Sequence, residues 1–68
     1  MQYVVVYERT TNGWSAYVPD LPGCVAAGDT REEVEALMRE AIALHIAELR
    51  KSGESVPPPG SFTSLVEV

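Results

Sequence analysis

Side chains sort into two faces with a period of two over Gln2–Arg9 and Trp14–Val18, whereas apolar side chains recur at every third or fourth position from Thr30 to Ser52. The change of period divides the chain into a sheet-forming half and a helix, since side chains alternate across a strand and return to one helix face after about 3.6 residues. Gln2–Arg9 (QYVVVYER) places Tyr3, Val5 and Tyr7 on one side and Val4, Val6 and Glu8 on the other. Its β-branched and aromatic residues predict a strand that is apolar on both faces. Thr10-Thr11-Asn12-Gly13 follows, and its Asn-Gly pair suits the positive φ angles of a tight hairpin. Trp14–Val18 alternates again, with Trp14, Ala16 and Val18 opposite Ser15 and Tyr17, and predicts a second, antiparallel strand.

Pro19-Asp20-Leu21-Pro22-Gly23 ends that strand, because two prolines remove ladder donors and Gly23 permits a bend. A stiff, exposed loop displaying Leu21 is expected. The small side chains of Cys24–Gly28 predict a third strand over which a helix passes closely.

The helix is signalled over Thr30–Ser52. Thr30 with Glu33 three residues on forms a capping-box pattern, acids outnumber bases in the first turn, Arg50 and Lys51 close the last, and Gly53 offers a left-handed exit. Val34, Leu37, Met38, Ala41, Ile42, His45 and Leu49 fall on the side that needs cover. Glu32, Arg39, Glu40, Ala43, Ala47, Arg50 and Lys51 lie mostly opposite. Beyond it, the three prolines of Gly53–Gly60 predict an extended polyproline return across the sheet, and Phe62–Val68 (FTSLVEV) reads as a fourth strand. The predicted order β-β-β-α-β is an α+β two-layer sandwich, an antiparallel sheet with one helix on one face. Nothing predicted covers the other face, so a partner or second copy is expected there.

Sixty-eight residues make one domain, small enough that self-association is an expected supplement to its stability. Ten acidic residues against five basic ones give a net charge of −5, with no basic stripe to neutralise phosphates. Direct nucleic-acid binding is therefore disfavoured, and a basic protein partner is favoured. Cys24 is the only cysteine, which rules out an internal disulfide and agrees with a reducing cytoplasm. The N-terminus lacks a signal-peptide pattern, and the apolar run Tyr3–Tyr7 is too short to span a membrane, so a soluble cytoplasmic protein is expected.

Chemistry-bearing residues are sparse. His45 has no nucleophile or companion ligand nearby in the pattern, and reads as a packed structural histidine. Cys24 has no partner cysteine or basic cluster, and reads as a small apolar residue. Glu8, Asp20 and Asp29 are scattered, although acids converging on Mg²⁺ from different strands would make a minimal hydrolase. No phosphate-binding glycine pattern occurs. No catalytic, metal or cofactor-binding residue is assigned. Trp14 and Tyr17 read as packing residues or, if exposed, as interface anchors. Pro19–Gly23 reads as a plain connection or as a preorganised contact loop. Trp14, Tyr17, Pro19, Asp20, Leu21 and Pro22 are thus the candidate partner-binding residues.

From Ala16 to Pro59 the chain resembles the HicB-like antitoxin family, in its P-D-L-P-G-C loop, its G-D-T-x-E-E helix start and the proline run after G-E. The resemblance implies a β-β-β-α-β domain of partial ribonuclease-H-like outline that binds and inhibits a small basic HicA-like toxin. That toxin is an mRNA-cleaving ribonuclease dependent on a histidine. It further implies that this chain is not an enzyme. Many family members carry a second, C-terminal DNA-binding module, and a single toxin-binding domain over residues 1–68 without that module is expected here. The leading expectation is an antitoxin whose sheet face and Pro19–Gly23 loop occlude the toxin's RNA site. An orphan self-associating binding module and a minimal metal-dependent nuclease are the alternatives.

Overall fold

The predicted strands form in chain order as β1 (Val6–Arg9), β2 (Trp14–Tyr17) and β3 (Val25–Gly28), followed by α1 (Arg31–Lys51), in a computed structural model that describes residues Met1–Val68. The sheet is antiparallel with order β1-β2-β3. Tyr7 pairs with Ala16, and Ala16 in turn with Ala26, so the faces assigned by alternation to the first two strands are retained, and Ala26 of β3 joins the face of Tyr7 and Ala16. The architecture is an open α+β sheet carrying one helix on one face, as predicted.

The strands are shorter than their apolar patterns. β2 gives way to a turn after Tyr17, so Gln2–Val5 has no ladder partner and extends beyond the paired part of β1. The hairpin also differs from expectation, because no non-glycine residue has positive φ and neither does Gly13. Thr10 instead donates its N–H to the Gly13 carbonyl at 2.9 Å, closing a loop of Thr10 to Gly13. Gly13 is required for a different reason: a Cβ there would collide with the Gly28 carbonyl at the end of β3.

α1 starts and stops where its caps predict. Thr30 accepts a hydrogen bond from the Glu33 N–H at 3.1 Å, Glu32 and Glu33 lie in the first turn, and Arg50 and Lys51 lie in the last. Only half of the capping box closes, since the Glu33 carboxylate rests against Gly28. Ser52 is the C-cap, and Gly53 leaves the helix with φ +74°. Along β3, Ala26 and Gly28 let the helix approach closely enough that a Cβ on Gly28 would press on Glu33 and Val34.

Six residues form the buried core, Ala16, Val18, Leu21, Cys24, Val34 and Met38. Tyr3, Val5, Tyr7, Trp14, Ala26, Ala41, Ile42 and Ile46 pack around them. Only Val34 and Met38 are buried on the helix, fewer than its apolar side predicts. Length explains the difference: 21 residues of helix span about 32 Å, whereas four-residue strands span about 13 Å, so the sheet fully covers only part of α1, and Ala41, Ile42 and Ile46 are partly buried at the margin of the core.

The fourth strand predicted over Phe62–Val68 is not formed. The chain returns from the helix with the Tyr3 hydroxyl donating to the Pro57 carbonyl, and is then pinned at Gly60 and Ser61 by Asp20. Past that clamp no ladder bond holds the chain, and Phe62, Leu65, Val66 and Val68 are exposed. Strand propensity becomes a strand only against an aligned edge, and this segment makes no ladder bond with either edge of the sheet.

Candidate functional site

Alternation along β2 sends its two large aromatic side chains to opposite faces. Trp14 lies on the helix side, half-buried, with the Arg9 guanidinium stacked 5.2 Å from its ring centroid across the β1–β2 pair. Tyr17 lies on the outer face, 41% exposed, between Val6 and Val25 of the neighbouring strands. The two therefore do not form one surface. The outer face bears no helix, and Tyr17 with Val25 leaves it open and apolar.

The Pro19–Gly23 loop is closed by its own backbone. Val18 donates to the Cys24 carbonyl, Leu21 to that of Val18 and Cys24 to that of Leu21, all between 3.1 and 3.2 Å. Gly23 takes φ +85°, with open space around it, so its role is conformational. This tight turn drives Leu21 inward to zero exposure beside Val34 and Met38, which corrects the expectation of a displayed Leu21. Leu21 supports the loop from beneath, and Pro19, Pro22 and Gly23 are what the loop presents outward.

Asp20 faces the chain's own C-terminal segment. Its carboxylate accepts hydrogen bonds from the N–H groups of Gly60 and Ser61 at 3.0 Å and from the Ser61 hydroxyl at 2.9 Å. These donors, the Ser61 and Gly60 amides foremost, hold its carboxyl below the usual carboxylate range. Cys24 is buried, and desolvation raises its thiol above the ordinary value, so a reactive thiolate is disfavoured. The Tyr7 hydroxyl is likewise raised, by burial first and then by the nearby Glu35 carboxylate. His45 is half-buried on the helix. No three of the His, Cys, Asp and Glu side chains come together in a group that could hold a metal ion.

Two exposed apolar residues of the helix escaped the sequence reading. Leu37 was expected under cover but is 39% exposed, and Leu44, given to neither side, is 62% exposed. Their spacing of seven residues, two helical turns, is the signal that would have paired them with β3.

Known proteins resemble the chain along most of its length. The family model for "HicB_like antitoxin of bacterial toxin-antitoxin system" matches residues 3–68. An uncharacterized 14.9 kDa protein of Haemophilus phage HP1 is 39% identical over 84% of this chain and 43% of its own length. Antitoxin HicB 2 of Photorhabdus laumondii is 31% identical over 90% of this chain and 44% of its own. The chain thus spans less than half the length of these two relatives. A UPF0150 protein of Thermoplasma acidophilum is 36% identical, with 84% of each chain covered. Among solved structures, a HicA3 and HicB3 toxin-antitoxin complex contains a chain that superposes with TM-score 0.74 at 35% identity, over 87% of this chain and 70% of that one. No helix is long and apolar enough to cross a membrane.

Proposed function

Since this chain belongs to the HicB-like antitoxin family of bacterial toxin–antitoxin systems, we propose that it binds and neutralises a small, basic, HicA-like mRNA-cleaving toxin by covering the toxin's RNA site. The observation that carries this reading is the likeness, at 35% identity, to a chain of a complex described as HicA3 with HicB3. Two physical features agree with it. The net charge of −5 steers a basic protein toward this one, and the open outer face around Tyr17 and Val25 offers apolar area for it to bury. The chain acts as an inhibitor of a ribonuclease in the cytoplasm, where its target's substrate is, and not as an enzyme.

Docking uses the outer face at Tyr17 and the outward parts of the loop at Pro19 and Pro22. Asp20 and Leu21 serve the same contact indirectly, by holding the loop's shape from behind and beneath. Trp14, on the helix side, contributes through the strand it anchors. Co-expression with the toxin tests the proposal. Growth is restored when both are made, and toxin cleavage of RNA in vitro stops when the purified chain is added. Persistent cleavage at micromolar excess, with no complex on calorimetry, would overturn it.

A second reading is favoured by the same open face: a module that pairs with its own copies, Tyr17 and Val25 being shielded in the assembly. Sedimentation with and without toxin separates the two. A monomer that becomes a heterocomplex supports inhibition, whereas an oligomer indifferent to toxin supports self-pairing.

A further inference from the structure

The sheet has two edges, and one of them is unguarded. β1 carries Glu8 and Arg9, and the terminal segments gather beside its start, where Met1, Tyr3 and Val4 face Ser61 and Phe62 across a cleft bordered by Arg39. β3 lies at the opposite edge with no strand beyond it. Its sequence, Val-Ala-Ala-Gly, has neither a charge nor a proline to keep another strand away.

An apolar groove runs between this edge and the helix, lined by Val25, Ala27, Leu37, Ala41 and Leu44, with Glu40 at its rim. Val25 is 64% exposed and Leu44 62%. Helical spacing sets Glu33 one turn before Leu37, and Glu48 one turn after Leu44, on the same flank. Three carboxylates therefore alternate with two leucines beside an open strand. Lys51, at the far end of the flank, is its only cation. Of the remaining helix cations, Arg39 borders the cleft at the other sheet edge, Arg31 is paired with Glu35 at 3.4 Å, and Arg50 falls on the opposite, solvated side of the helix. The helix thus sorts its charges, with acid alone beside most of the groove.

We infer that the toxin docks here by strand addition, an extended basic segment pairing with β3. Its apolar side chains enter the groove against Leu37 and Leu44, and its cationic ones meet Glu33, Glu40 and Glu48. The inference rests on the antitoxin reading and names the part of the chain that makes the decisive contact. Main-chain hydrogen bonds to a free edge supply affinity in such an arrangement, and alternate side chains in flanking pockets supply specificity. A second copy of this chain is a poor occupant, because pairing two β3 edges brings two rows of glutamates together, and like charges across an interface oppose it.

The test measures binding of the purified HicA-like toxin to the full chain by calorimetry, at two salt concentrations. Leu44→Glu, Glu40→Lys and, on the solvated face of the helix away from groove and outer sheet face, Glu32→Lys are compared with the unaltered chain. All three positions are exposed, and circular dichroism verifies that each variant is folded. Leu44→Glu and Glu40→Lys are expected to weaken binding roughly tenfold or more, the second most strongly at low salt. Glu32→Lys, which changes net charge as much as Glu40→Lys, is expected to alter affinity less than about threefold. Unchanged binding by Leu44→Glu and Glu40→Lys overturns the inference while leaving the antitoxin reading intact. An equal loss from Glu32→Lys also overturns it, since net charge then suffices. An oligomer that Leu44→Glu dissolves without loss of toxin affinity assigns the groove to a second copy. If the unaltered chain binds no toxin, the antitoxin reading fails and the inference with it.

Discussion

Gly13 and Asp20 each hold two distant parts of the chain together, and neither role is visible in a local motif. At Gly13 the absence of a side chain admits the Gly28 carbonyl, so Gly13→Ala must push β3 away from the hairpin. The expected cost is about 1–3 kcal/mol, read as a lower urea midpoint with an unchanged slope. A midpoint within error of the parent would contradict this packing role. At Asp20 the clamp depends on ionisation. Its pKa is lower folded than free, so the stabilisation is present above the ordinary carboxylate value of 3.8 and is lost as the pH falls through the depressed folded value. The protection of the Gly60 and Ser61 amides, measured against the intrinsic exchange rate at each pH, should therefore fall on acidification in the parent and be low at every pH in Asp20→Asn. Equal protection in the two proteins at neutral pH would remove the clamp.

Elements differ in how much of their predicted burial they achieve. The sheet buries Ala16 and Val18, and the loop buries Leu21 and Cys24, but the helix buries only Val34 and Met38 because the strands beneath it are short. Stability should consequently be concentrated in the helix's first half. Met38→Ala is expected to cost about 2–5 kcal/mol, a large fraction of what a domain of this size can hold, whereas Leu44→Ala should stay within about 0.5 kcal/mol. Thermal unfolding of both variants checks the contrast, and comparable losses would place the core elsewhere.

For the molecule as a whole, charge and length pull in separate directions. The charge of −5 has no bearing on which residues pack, but under the proposed function it steers encounter: association with a basic toxin should slow as salt is raised, with the off-rate changing less. A salt-independent on-rate in stopped flow would deny steering a part. The segment after Ser61 makes no ladder bond and exposes its apolar side chains, so removing Phe62–Val68 should leave stability within about 0.5 kcal/mol. A larger fall in the unfolding midpoint would mean that this segment packs against the body of the domain after all.

Alternation, small side chains and caps were enough to place three strands, the faces of the first two and a helix bounded by Thr30 and Ser52, because each of these is decided by neighbours a few residues apart. The P-D-L-P-G-C loop and the G-D-T helix start likewise carried the family likeness in plain residues. What the candidate site looks like was settled only in three dimensions. Leu21 turned inward because a closed turn aimed it at Val34 and Met38; Asp20 met Gly60 and Ser61; Phe62–Val68 found no edge. These outcomes depend on groups well separated along the chain, Asp20 and Gly60 by 40 residues. No local period records such meetings, since they exist only once the sheet and helix have set the distances between the parts.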